Sequence, residues 1–238
     1  MKKIILTLIL SFISLSSYAF RVTPMTAEFD AKGRGATQTF QVDNNGDKEV
    51  ALEIDALTRK VEVEGKETRE KTKDFTIYPL QLTVKPGEKK NIRVSYVGNE
   101  PEKEVPYRLV VRQLPVNLEK KKPGETAQSQ INFLFEYVAS LYVKGKAPAT
   151  PKLELQELKK EGNNLSILLK NSGGVHVLFK SYNLIVSDGK DKLELNMSDA
   201  TYDALGGMNL LAGDIRRILL PIPQKLKGDK FTVDFKLR

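Results

Sequence analysis

Apolar and polar residues alternate along most of the chain. In Ala36-Thr37-Gln38-Thr39-Phe40-Gln41-Val42 and Val50-Ala51-Leu52-Glu53-Ile54-Asp55-Ala56-Leu57, every second side chain, or nearly so, is apolar. Phe75-Thr76-Ile77-Tyr78, Leu80-Gln81-Leu82-Thr83-Val84 and Asn91-Ile92-Arg93-Val94-Ser95-Tyr96 continue the pattern. A period of two is the signature of a strand with one face buried. Turn-forming clusters separate these runs: Asn44-Asn45-Gly46-Asp47, Glu64-Gly65-Lys66 and Lys85-Pro86-Gly87-Glu88. Short strands punctuated in this way predict an all-β antiparallel sandwich or barrel. No stretch offers three turns of helical periodicity with caps.

The series is interrupted at Lys144-Gly145-Lys146-Ala147-Pro148-Ala149-Thr150-Pro151, where two prolines and a glycine end a strand and stiffen the residues after it. This composition predicts a linker over 145–151 between a domain at 20–144 and a second at 152–238. The second half carries its own strand series: Lys152–Leu158, Asn164–Lys170, Val175–Val186, Lys192–Leu195, Asp214–Leu220 and Lys230–Leu237. Ser198–Leu211 has no strand pattern and is expected to be an irregular connection. Each half is long enough to bury a core without metal or disulfide support.

One strand is expected to be unusually long. From Gln128 to Val143 the chain places Ile131, Phe133, Phe135 and Tyr137 on one face, followed by Ala139, Leu141 and Val143. At about 3.3 Å per residue it would exceed ~50 Å, more than a small sandwich can cover. One end should therefore project or form an exposed edge, a feature that invites pairing with another chain. The competing expectation is a long core strand buried within its own domain.

The first residues do not belong to the fold. Lys2 and Lys3 precede an apolar stretch from Ile4 to Leu15, and Ser17-Tyr18-Ala19 ends it with small residues where a signal peptidase reads them. This predicts a secretory signal over 1–19, cleaved after Ala19. The stretch is shorter than the roughly 20 apolar residues a membrane span requires, and no later run reaches that length. A bacterial periplasmic destination is expected, with no membrane span after cleavage.

Composition narrows the chemistry. The 238 residues include no Cys and one His. Disulfide frameworks, thiolate metal sites and cysteine nucleophiles are excluded, and a serine-type triad could run only through His176. His176 lies beside Gly173-Gly174 without a Gly-x-Ser-x-Gly elbow, so a structural or exposed role is expected. The paired acids Glu62 and Glu64 face no second catalytic carboxylate in the sequence, and Gly33-Arg34-Gly35 is too short for a phosphate loop. The chain is therefore not expected to be an enzyme or to need a cofactor. Lys and Arg number 38 against 30 acids, and loss of the leader removes two of the lysines. The basic excess is moderate and dispersed, and no aromatic-interleaved basic motif suggests nucleic acid.

Taken in order, the chain carries Val22-Thr23-Pro24, Val42-Asp43-Asn44-Asn45-Gly46, the hairpin Leu82 to Val94, Pro106-Tyr107-Arg108-Leu109 with Arg112-Gln113-Leu114-Pro115, the long strand 130–143, Leu165 to Gly173, and Leu211-Ala212-Gly213-Asp214-Ile215-Arg216-Arg217. Together these motifs resemble the periplasmic pilus and fimbrial assembly chaperones, the PapD-like family. The resemblance implies two immunoglobulin-like β-sandwiches in a boomerang. It also implies a mechanism in which the long strand, G1 of that family, completes the sandwich of a pilus subunit that lacks its last strand. The partners would be pilus or fimbrial subunits and an outer-membrane usher. Ile131, Phe133, Phe135 and Tyr137 would fill the client's pockets. The family's anchoring charges for the subunit's C-terminal carboxylate, an Arg on the first strand and a Lys on G1, fall by alignment on Thr26 and Ser140, which carry none; Arg21, Arg108 and Arg112 lie near. The alternative is a structural or adhesive immunoglobulin-like module of a cell-envelope assembly.

Overall fold

The computed structural model describes residues 20–115 and 134–238. The predicted signal at 1–19, the first part of the predicted long strand, Ile131 and Phe133 lie outside the described residues. The chain folds as two immunoglobulin-like β-sandwiches, each with its own apolar core.

In chain order the first sandwich contains β1 (Phe20–Thr23), β2 (Thr26–Phe29), β3 (Thr37–Asn44), β4 (Val50–Thr58), β5 (Lys60–Val61), β6 (Glu67–Thr68), β7 (Phe75–Tyr78), β8 (Gln81–Val84), β9 (Lys89–Tyr96), β10 (Val105–Gln113) and β11 (Glu136–Val143). One sheet has the order β1-β3-β9-β7 and the other β2-β11-β10-β4-β8. Pairing is antiparallel except between β2 and β11, which run parallel. The alternation read from the sequence sets which face is inside. Val50, Leu52, Ile54 and Ala56 of β4 are buried, as are Ile92, Val94 and Tyr96 of β9. The inward faces meet in one cluster that includes Phe20, Phe29, Phe40, Leu109 and Leu141. Each fully buried large apolar side chain stabilises by about 1.5–3 kcal/mol. At one end, Phe75 packs edge-on against Phe29, Tyr96 and Tyr107, with centroids 5.0–5.3 Å apart. The Tyr107 hydroxyl donates to Asp74 at 2.8 Å, which satisfies its polar tip.

The second sandwich contains β12 (Leu153–Glu161), β13 (Asn164–Asn171), β14 (Val177–Leu178), β15 (Tyr182–Ser187), β16 (Lys192–Asn196), β17 (Asn209–Leu210), β18 (Ile215–Pro221) and β19 (Thr232–Leu237). Sheets β12-β13-β18 and β16-β15-β19 enclose Leu165, Ile167, Leu169, Phe179, Leu184 and Leu220, and β14 pairs with β17. The single strand expected at Val175–Val186 is instead two strands joined by a 3-10 turn at Phe179–Ser181. The reason is parity. Val177 and Phe179 are buried, and so are Tyr182, Leu184 and Val186. One unbroken strand would send one of these sets to solvent, and the turn restores both to the core. The irregular stretch at Ser198–Leu211 holds a 3-10 turn (Ala200–Tyr202), a single helical turn (Asp203–Gly206) and β17.

Of the expected long strand, the described part forms β11. Strand pairing begins at Glu136, and Leu134 and Phe135 stand before it. Its partner β10 ends at Gln113, whose N–H still donates to Phe135 C=O, while the next amide, Leu114, continues the ladder on the other side by donating to Ala51 C=O of β4.

Candidate functional site

Strand β11 changes character along its length. Ala139, Leu141 and Val143 are buried in the core of the first sandwich. Two residues earlier, Tyr137 is half-buried against Phe20, with ring centroids 4.8 Å apart, and its hydroxyl donates to the Phe20 carbonyl. Phe135 follows the same parity and is 39% exposed, and Leu134 beside it is 53% exposed. Of the four expected client-facing residues, the structure therefore describes one exposed, Phe135, and one resting on its own core, Tyr137. On one side β11 pairs with β10 throughout, and Gln113 N–H extends the ladder to Phe135 C=O at 2.9 Å. On the other side β2 pairs only with Ser140–Val143. Among the described residues, no strand covers that edge over Glu136–Ala139. An edge this open, leading into exposed apolar side chains, is a template for strand addition.

Where β2 begins, the structure brings Thr26 and Ser140 together as register partners, and Arg108 of β10 is the partner of Ser140 on its other side. Arg108 Nη1 donates to Ser140 Oγ. A cation thus enters from the neighbouring strand at the locus where Thr26 and Ser140 carry no charge. The same guanidinium donates to both oxygens of Glu67, at 3.0 and 2.7 Å. Arg59 Nε adds a bond to Glu67 Oε2 at 2.9 Å and Arg69 Nε one to Oε1 at 2.6 Å. Burial alone would raise the Glu67 carboxyl, but hydrogen bonds from Arg108 and Arg69 and the charges of Arg108 and Arg59 outweigh it and hold it at about 2.

Glu67 sits on the β5–β6 hairpin, whose tip reaches the second sandwich. Arg217 N–H donates to Val63 C=O at 2.9 Å, and Arg217 Nε donates to Glu64 at 3.1 Å. Arg216 packs on Gly65, where the guanidinium leaves no room for a side chain. A second junction forms at His176. Its ring stacks on Tyr142 at 4.0 Å, and its Nδ1 lies 2.7 Å from the buried Glu104 carboxylate. The Tyr142 hydroxyl accepts from Asn209 Nδ2 at 2.6 Å. His176 therefore joins the two sandwiches. The segment 145–151 lies against the first sandwich at its start, with Lys146 and Ala147 N–H donating to Pro101 and Glu102 C=O. Among the described residues, no group of three or more His, Cys, Asp or Glu side chains is placed to hold a metal.

Glu67, Arg59 and Arg69 escape a strand-by-strand reading, because each looks like ordinary hairpin polarity. The signal available was local: Arg59 to Arg69 holds two opposed charge sets around a Gly turn.

The model of the family described as pili and flagellar-assembly chaperone, PapD N-terminal domain, matches residues 21–145, more than half of the chain. The chain belongs to this family. No curated protein matches it. Solved structures of pilus chaperones share the fold at low identity. The CsuC–CsuE chaperone–tip adhesion subunit pre-assembly complex from archaic Csu pili of Acinetobacter baumannii matches at 18% identity, covering 84% of this chain and 89% of that one, with a TM-score of 0.55. The Salmonella enterica SafA pilin–SafB chaperone complex matches at 13% identity over 94% and 99% of the two chains, with a TM-score of 0.56. The E. coli chaperone DraB matches at 14% identity over 87% and 86%, also at 0.56. Membership in this family supports a chaperone role. Among the described residues, no helix is long and apolar enough to cross a membrane.

Proposed function

We propose that this chaperone captures pilus or fimbrial subunits in the periplasm by donor-strand complementation and delivers them to an outer-membrane usher. The observation that carries this reading is the open edge of β11 at Glu136–Ala139, running out into exposed Phe135. A subunit lacking its last strand would pair its backbone with this edge and take Phe135, Phe133 and Ile131 into its groove, with Tyr137 at the boundary between chaperone and client. On an extended strand these residues would share one face, and each large side chain removed from water would add about 1.5–3 kcal/mol before ordering costs. Family membership and the two chaperone–subunit complexes named above support the same class of partner. Export through a signal at 1–19, an N-terminal domain at 20–144, a linker at 145–151 and a C-terminal domain at 152–238 complete the proposal. The client's carboxylate would be held at the Thr26–Ser140 locus by Arg108, since neither hydroxyl position carries charge.

The test is expression of the tagged full-length chain in the periplasm with its candidate pilus subunit. Wild type should co-purify a stoichiometric subunit. Phe133→Asp and Phe135→Asp should lose it while melting like wild type, because an exposed carboxylate stays hydrated and a pocketed one costs several kcal/mol. Equal recovery from wild type and both variants would remove the donor-strand reading and favour a structural or adhesive immunoglobulin-like module.

A further inference from the structure

The Arg108 site is already filled by a carboxylate from its own chain. Glu67 receives four guanidinium hydrogen bonds, about the full acceptor capacity of a carboxylate. The surrounding charge is nevertheless unbalanced. Arg59, Arg69 and Arg108 share this one acid. Arg216, whose charge acts on Arg59, buries its Nε without any partner. Two further acids act on Arg216: Glu64, which Arg217 engages, and Asp214, which is raised by burial despite the opposing charges of Arg59 and Arg216. The cluster thus holds more cations than its own acids satisfy. Its occupant arrives on a hairpin of two-residue strands, whose tip is tied to β18 rather than to the site.

We propose that Glu67 is an internal placeholder: it occupies the Arg59–Arg108 site in the free chain, and an incoming carboxylate binds there by displacing it. The inference rests on the chaperone reading above and adds a control on the same cleft. Glu67 keeps the guanidiniums oriented and partly neutralised while no client is present, and it sets a threshold that a client carboxylate must exceed. Release works in the opposite direction, because the tethered Glu67 is held nearby at high effective concentration and recaptures the site as the client leaves.

The experiment uses acetate as the probe, so it needs no client and can fail while donor-strand capture stands. Arginine Nε–H resonances of the mature full chain are followed by NMR during acetate titration at pH 7 and low salt. Glu67→Gln should bind acetate at least ~10-fold more tightly than wild type, a gain of about 1.4 kcal/mol, with the largest shift at Arg108. Adding Arg108→Ala to that variant should abolish the gain. Glu64→Gln, which loosens the hairpin tip and keeps Glu67, should bind like wild type. Glu67→Asp, with the charge kept and the reach shortened by one methylene, should fall between wild type and Glu67→Gln, and supplies the comparison if Glu67→Gln does not fold. Wild-type affinity in both Glu67 variants, a gain that survives Arg108→Ala, or an equal gain from Glu64→Gln would each overturn the proposal.

Discussion

The two sandwiches are built on the same corner and end on different last strands. In the first, Asn44 Nδ2 donates to Lys48 and Val84 C=O while its Oδ1 accepts from Gly46 N–H. In the second, Asn171 Nδ2 donates to Val175 and Leu210 C=O while its Oδ1 accepts from Gly173 N–H. Each asparagine's backbone then meets a turn from across the sheet. Gly87 N–H reaches Asn44 C=O and Gly213 N–H reaches Asn171 C=O, both at 2.8 Å. Both glycines have positive φ, 73° and 85°, which their turns require and other residues disfavour. The corner is thus a shared structural device: a fully satisfied buried amide pins three segments. The last strands differ. β19 pairs with β15 along its whole length and is the edge of its sheet, whereas β11 lies between β10 and β2, and β2 covers only Ser140–Val143. The first sandwich is therefore distinguished by a last strand that is flanked on both sides over Ser140–Val143 and open on one side over Glu136–Ala139.

The sharpest way to break this contrast is along β11 itself. Leu141→Ala should destabilise the first sandwich by about 2–5 kcal/mol, since the side chain is fully buried and its loss leaves a cavity. Phe135→Ala, six residues earlier, should change stability by less than about 0.5 kcal/mol. Urea unfolding of the two variants measures this directly. If Phe135→Ala costs as much as Leu141→Ala, the open end belongs to the core and the contrast between the two last strands disappears.

Matched substitutions at the corner test the similarity. Asn44→Ala and Asn171→Ala should each cost about 2–3 kcal/mol, because each strands buried carbonyls and an amide. In differential scanning calorimetry, each loss should fall on the transition of its own sandwich. A loss in one variant only would show that the corners are alike in geometry and unlike in weight.

The sequence carries these features unevenly, for physical reasons. Period-two alternation fixes which side chains of β4 and β9 face inward, because burial on one face leaves no freedom. Asn44-Asn45-Gly46 and Asn171-Ser172-Gly173 are visible as turns, yet their shared function depends on partners about 40 residues away, at Val84 and Leu210. The broken strand at Phe179–Ser181 was legible in principle from the parity switch between Phe179 and Tyr182. The Arg108 site was not. Its members, Arg59, Glu67 and Arg108, sit on three segments, and only the fold shows that the charge missing from Thr26 and Ser140 enters from β10. His176 gave no sign of Tyr142 and Glu104 as partners, because both lie in the other sandwich.

The smallest effect concerns the hairpin that ties the sandwiches together. Glu67 is held at about 2, below its ordinary 4.5, so its folded form favours the ionised state. A depressed carboxyl contributes stability that is complete above its unfolded value and is lost as pH falls toward the folded one. The advantage of wild type over Glu67→Gln should therefore be full at pH 5 and above, shrink between pH 4.5 and about 2, and vanish below that. Partial solvent exposure screens the pair, so the plateau should be on the order of 1–2 kcal/mol. Urea unfolding of both proteins across pH 2.5–7 gives the difference curve. A difference independent of pH would mean that Glu67 contributes by packing rather than by charge. The three arginines would then be oriented by something other than the acid between them.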